Sequence, residues 1–186
     1  SSELQAWKYP TKAKDLGIYF PAPNVFIPSE KGLAMKKPPL PKSQQKKSFE
    51  EKMVPIPPPK IIRDDGPEGR WTVYYKQDET YGQPKAFLIF QLLTTEVYKS
   101  AEQAALSKLY QASAADRLEE YVYDARLAGL TWDVAILPRG VRLTFGGYND
   151  KLSDFASYIA NKLGKDIKSV LPKSDSEFER YKDNLL

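Results

Sequence analysis

The apolar positions of this chain fall into two regimes that meet near residue 60. From Trp71 the run Trp-Thr-Val-Tyr-Tyr-Lys-Gln77 alternates, with Trp71, Val73 and Tyr75 on one side, the mark of a half-buried strand. Pro84 opens a second strand, predicted from Lys85 to about Leu93. Proline is tolerated there because a first strand residue can forgo its ladder donor. The apolar run Ala86–Phe90 is interrupted at Gln91 and resumes only for Leu92 and Leu93. A membrane span needs about 20 such residues, so this stretch reads as a buried strand and no span is expected.

Ser100-Ala-Glu-Gln103 has the spacing of a capping box and starts a long helix. Leu106, Leu109, Tyr110, Ala114, Leu118, Tyr121, Ala125 and Ala128 recur in steps of mostly three and four, which gives one apolar stripe, and Gly129 can supply the left-handed cap. Residues 130–137 and 141–145 read as two strands around Pro138-Arg139-Gly140, a short Gly-containing connection typical of a hairpin. Asn149 and Asp150 are good N-caps for the next helix. Its apolar set is Leu152, Phe155, Ala156, Ile159, Ala160 and Leu163, and Gly164 ends it. Ser174-Asp-Ser-Glu177 is another capping box, opening a helix that the chain end is expected to cut short. Paired strands mixed with helices that each have one apolar face predict an α+β fold: a largely antiparallel sheet with the helices on one face.

The first sixty residues change the picture. They hold 11 of the 15 prolines and 11 lysines against 5 acids, while residues 61–186 carry 17 Lys plus Arg against 19 acids. The net charge of +4 therefore belongs to the leading arm. Proline fixes φ and removes a donor, so residues 1–60 are expected to be an extended Pro-rich connector, and 61–186 a domain. Leu16, Ile18, Phe20, Val25, Phe26 and Ile27 interrupt this arm. A purely disordered linker does not need them, so 16–28 is expected to dock, on a domain absent from this chain. The stretch from Lys36 to Lys52 reads as solvated loop.

Absences narrow the chemistry. The sequence has no His and no Cys. That removes His/Cys zinc sites, disulfides, cysteine nucleophiles and any Ser-His-Asp arrangement. Zero Cys favours a reducing compartment, cytoplasmic or organellar. Ser1–Gln5 has neither a basic nor an apolar leader region, and reads as a fragment or a processed chain. Asp64-Asp65, Asp78-Glu79 and Glu119-Glu120 are the closest acidic pairs, but sequence neighbours do not converge in a pocket as a carboxylate dyad must. No catalytic and no metal-binding residues are expected here. Trp71, Tyr74, Tyr75 and Tyr81 could stack on single-stranded nucleic acid. Aromatics at such positions are ordinary sheet core and edge, and no nucleic-acid partner is expected. Pro55-Ile-Pro-Pro-Pro-Lys60 fits a polyproline ligand, a short pattern that recurs by chance.

Three stretches together resemble the insulinase/pitrilysin (inverzincin) family of metallopeptidases. The first is Pro23-Asn-Val-Phe-Ile-Pro28, with Pro23, Asn24, Phe26, Ile27 and Pro28 similar to the run that closes the catalytic half of those enzymes. The second is Tyr74-Tyr-Lys-Gln-Asp-Glu-Thr-Tyr-Gly-Gln-Pro-Lys-Ala86, in which Tyr75, Lys76, Gln77, Asp78, Pro84 and Lys85 match and Tyr74 and Tyr81 replace other aromatics. The third is Tyr121–Leu130, followed by Gly147-Tyr148-Asn149-Asp150-Lys151. The Lys-rich insert at 36–52 is longer and more basic than the family pattern.

The resemblance implies four related α/β domains forming a closed chamber in two halves joined by a linker. It also implies zinc in the first domain, held by two histidines of a His-x-x-Glu-His helix and a downstream Glu, with the motif's Glu activating water. Without histidine none of that carries over to this chain. It matches the connector after the catalytic half and the inactive third domain, which forms chamber wall. Other domains of the same polypeptide are then its partners, and peptides the substrates of the whole enzyme. Tyr123 and Arg126 are candidates to face the chamber. Two alternatives are a stand-alone module that binds through its Pro-rich basic arm, and a family homologue that has lost catalysis and acts as a structural subunit.

Overall fold

The computed structural model describes residues 22–33, 58–77 and 82–185. Within them the chain is α+β. Strands β1 (Lys60–Asp64) and β2 (Thr72–Tyr75) form one antiparallel pair. Strands β3 (Lys85–Leu93), β4 (Thr131–Leu137) and β5 (Gly140–Tyr148) form a second antiparallel sheet in the order β3-β5-β4. The helices are α1 (Ala101–Leu127), α2 (Asn149–Gly164) and α3 (Asp175–Asp183), with 3-10 turns at Glu96–Tyr98 and Ile167–Ser169.

The register of the three-stranded sheet explains its two faces. Leu88 lies opposite Phe145, which lies opposite Trp132, and Phe90 opposite Leu143 opposite Val134. Successive strand residues alternate faces, so this set points one way, onto α1 and α2. There Ala114, Leu118, Val122 and Ala125 of α1 meet Leu152, Phe155, Ala156 and Ile159 of α2 in one core cluster, with Leu130, Phe145 and Val170. Phe145 stands edge-on to both Phe90 and Phe155, with centroids 6.1 Å apart in each pair. Helix α3 rests on α1 through Tyr181, which is buried.

The N-cap half of each predicted capping box forms. The Ser100 hydroxyl accepts from the Gln103 amide at 3.1 Å, and the Ser174 hydroxyl from the Glu177 amide at 3.3 Å. At the end of α1, Gly129 takes φ +78° while the Leu130 amide bonds back to the Ala125 carbonyl at 2.9 Å. No described helix is long and apolar enough to cross a membrane.

Several expectations need correction. Strand β3 is not buried: its even-numbered residues face the helices, but Phe87, Ile89 and Leu93 lie on the other face, 73, 64 and 70% exposed. No element of the described chain covers that face. Trp71 and Tyr75 are likewise exposed, because among the described residues β2 pairs only with β1, in a ribbon with no layer over it. Strand β1 itself, Lys-Ile-Ile-Arg-Asp, was not predicted, since it offers no alternation to read. On α1 the buried stripe runs through Ser113, Ala114, Leu118, Val122 and Ala125, while Leu106 and Tyr121 are exposed. A helix of 27 residues is about 40 Å long and a nine-residue strand about 30 Å, so the start of α1 around Leu106 has no sheet beneath it, while Tyr121 lies beside the buried row Leu118–Val122–Ala125. On α2, Ala160 is exposed for a simpler reason: it lies to the side of the row Leu152–Phe155–Ala156–Ile159 that meets the sheet.

Candidate functional site

The described part of the arm, residues 22–33, docks onto this domain's own helices, not onto an absent one. Residues Leu16–Phe20, the Lys-rich stretch 36–52, Asp78 and Tyr81 lie outside the described residues. Asn24 begins the docking. Its Oδ1 accepts from the Phe26 amide at 2.9 Å, closing a local turn, and its Nδ2 donates to the Asp124 carbonyl near the end of α1 at 2.6 Å. Such a turn is what an Asn side chain offers when it bonds its own backbone two residues on.

The turn aims Phe26 into the domain. Its ring meets Phe155 of α2 edge-to-face, centroids 5.6 Å apart at 78°. Val25 and Ile27, on either side, point outward and are 71 and 61% exposed. Pro28 is half-buried and Pro23 exposed.

Ser29 closes the docking. Its amide and its hydroxyl both donate to Asp150 Oδ2, at 2.9 and 3.1 Å. The Ser29 hydroxyl also accepts from the Gly32 amide at 3.0 Å, within a turn in which the Ser29 carbonyl takes the amides of Gly32 and Leu33. The Asp150 carboxyl is held below its ordinary range, first by the Ser29 amide and then by its hydroxyl, with the Lys151 charge adding. This corrects the expected capping. The N-cap position of α2 is Tyr148, Asn149 donates its amide to the Pro84 carbonyl at 3.0 Å, and Asp150 spends its carboxylate on the arm.

The second and third motifs meet beneath the arm. Lys85 pairs with Tyr148 across β3 and β5, its ammonium 5.3 Å from the Tyr148 ring centroid. Gly147 has φ +135°, and a Cβ there would meet the Gly129 carbonyl oxygen and Leu130, so only glycine lets β5 pass so close to the end of α1. Pro84, Lys85, Gly147, Tyr148, Asn149, Asp150 and the Asn24–Pro28 turn thus form one cluster. Tyr75, Lys76 and Gln77 stay apart, on or just after the exposed ribbon.

Tyr123 and Arg126 lie near the end of α1, on the helix layer. Tyr123 is 57% exposed. Arg126 forms a bidentate ion pair with Glu119 one helical repeat back, at 2.5 and 2.6 Å. Beside it a cavity of about 140 Å³ is lined by Val122, Arg126, Leu130, Thr131, Trp132 and Phe155.

Ser29, Gly32, Asp124 and Phe155 take part in the docking without having been singled out for it from sequence. Ser29 and Gly32 carried a signal, a Ser followed three residues later by Gly being a turn pattern. Asp124 offered none, because only its backbone carbonyl is used. The zinc that the motifs imply for the whole enzyme does not fit here. The chain has no His or Cys, and no three acids converge among the described residues.

Comparison with known proteins gives the family. Residues 1–186 match the family described as the middle or third domain of peptidase_M16. The chain is 28% identical over 188 residues to insulin-degrading enzyme-like 1, peroxisomal, of Arabidopsis thaliana, covering 98% of this chain and 17% of that protein. It is 32% identical over 131 residues to the insulin-degrading enzyme of Bos taurus, covering 70% of this chain and 12% of that protein. Its fold matches a crystal structure of pitrilysin with TM-score 0.64 at 19% identity, over 92% of this chain and 16% of that one. The chain thus spans under a fifth of the length of these relatives, and with its family match over every residue it belongs to the middle or third domain of the M16 peptidases, the insulinase family of zinc metallopeptidases.

Proposed function

We propose that this chain is a non-catalytic wall of a zinc metalloendopeptidase. Residues 1–60 are its connector from the catalytic half, and 61–186 its inactive third domain. In this reading zinc and the water-activating Glu sit in another domain of the parent protein. This part contributes surfaces that neighbouring domains cover, so that only peptides able to enter the chamber reach the metal.

The observation that carries the reading is the uncovered face of β3. Phe87, Ile89 and Leu93 form an apolar row on a nine-residue strand whose outer edge has no partner among the described residues. Exposed apolar rows of this kind mark contact surfaces. The aromatic ribbon of β1 and β2 adds to it, since a lone two-stranded pair is marginal in water without a surface to lie on. Tyr123, exposed at the end of α1, is the side chain we assign to contact with a neighbour or with peptide. Arg126 is engaged by Glu119, which leaves it to orient that surface.

The test is to recover the native protein with an antibody raised to this chain, measure its mass and assay it for peptidase activity. A protein several times longer than 186 residues, inactivated by chelator and restored by zinc, is the expected result. A native protein near 21.1 kDa without activity would sink the reading.

A further inference from the structure

We propose that residues 24–33 are a releasable strap that sets the working length of the connector. The strap is held at three points, each on a different part of the helix layer: Asn24 on the Asp124 carbonyl, Phe26 on Phe155, and Ser29 on Asp150. Between these points it is organised by its own hydrogen bonds. Asn24 Oδ1 holds the Phe26 amide, and Ser29 holds the amides of Gly32 and Leu33. A segment already folded into two turns has less conformational freedom to lose on docking, so it closes readily.

The same contacts show why it opens. The anchors at Asn24 and Ser29 are exposed, where water competes for every hydrogen bond. Val25, Ile27 and Leu33 face solvent, so Phe26 is the strap's apolar hold on the core. Most of the core lies apart from it: Ala114, Leu118, Phe145 and Ile159 are buried among α1, α2 and the three-stranded sheet. Low-stability segments of this kind open without the rest of the fold.

Release has a mechanical consequence. The ten residues 24–33 lie coiled against the domain when docked, and span up to about 33 Å when extended. If the arm joins two halves of a chamber, which rests on the reading above, docking shortens the tether and release lets the halves part. The strap's two turns then act as a length switch placed where the arm meets the domain.

Hydrogen exchange followed by mass spectrometry on the full 186-residue chain tests the strap. The variants are Phe26→Ala and Asp150→Ala, compared with the wild type by exchange of peptides covering 24–33 and of core peptides covering 113–125. Each variant is expected to speed exchange in the strap by about tenfold, the factor for losing roughly one net contact, with core exchange and the thermal midpoint unchanged. Two results overturn the proposal. In one, the wild-type strap exchanges as fast as an unstructured peptide. In the other, strap and core accelerate by the same factor in both variants, which makes the segment part of the core. Neither result depends on the mass or chelator response of the native protein, so the strap and the chamber reading can fail separately.

Discussion

Gly32 lies directly against the carboxylate of Asp150, so close that a Cβ built on Gly32 would overlap Asp150 Cγ. Its backbone is not in the left-handed region, so the requirement for glycine here is space and not φ. Gly32→Ala is therefore expected to push the turn off Asp150. Trypsin should then cut after Lys31 faster than in the wild type, while the thermal midpoint of the domain holds. Unchanged cleavage would mean that Asp150 simply rotates away.

Acid should release the same contact. A carboxylate whose pKa is lowered in the folded state contributes above the ordinary value of 3.8 and loses that contribution as pH falls through its lower folded value. Strap protection against exchange should thus be flat between about pH 5 and 8 and decline below about pH 4, after correction for intrinsic exchange rates. In Asp150→Asn this decline should be absent. The groups that bear on Asp150 are Ser29 and Lys151.

Helix α3 is held to α1 by another carboxylate. The Tyr181 hydroxyl donates to Asp116 Oδ2 at 2.6 Å, and Arg180 Nη2 reaches the same oxygen at 2.7 Å. Tyr181 is buried, but the Asp116 side chain is 49% exposed, so screening reduces what the bond contributes. Tyr181→Phe should cost about 1 kcal/mol at pH 7, or about 2–4 °C in the thermal midpoint. Asp116 is held below its ordinary 3.8, chiefly by the Tyr181 hydroxyl, so the difference should shrink as pH drops below that value. An equal difference at pH 7 and pH 3 would show that the ring's packing, not the hydrogen bond, is what changed.

What could be read from sequence follows from where each signal is stored. Helices α1, α2 and α3 were legible because their caps and apolar spacing are local, as at Ser100–Gln103 and Ser174–Glu177. The antiparallel sheet was legible from paired strands around Pro138–Gly140. The burial of β3 was misread because an apolar run does not say whether both faces of its strand are covered. Among the described residues nothing lies over Phe87, Ile89 and Leu93. Asp150 was misread for a related reason. Its place at a helix start suits a cap, and the competing amide of Ser29 lies 121 residues away. Asn24 stood out as a motif residue, yet its acceptor is a backbone carbonyl 100 residues on, which no side-chain pattern can announce.

Ile89 gives the sharpest contrast between the chain alone and the chain in its parent. Its side chain lies on the open face of β3, opposite Thr144, and is 64% exposed. Lysine on an exposed edge strand blocks edge-to-edge pairing and removes apolar surface from water. In this chain Ile89→Lys should therefore leave the thermal midpoint unchanged and reduce self-association, as read by sedimentation velocity. In the parent protein the sign should reverse. If neighbouring domains cover this face, the same lysine becomes a buried cation without a partner, a cost of about 3–5 kcal/mol. The parent should then lose stability and peptidase activity together. Unchanged parent stability would mean that the β3 face stays in water there too, and the wall would have to be sought on the β1–β2 ribbon.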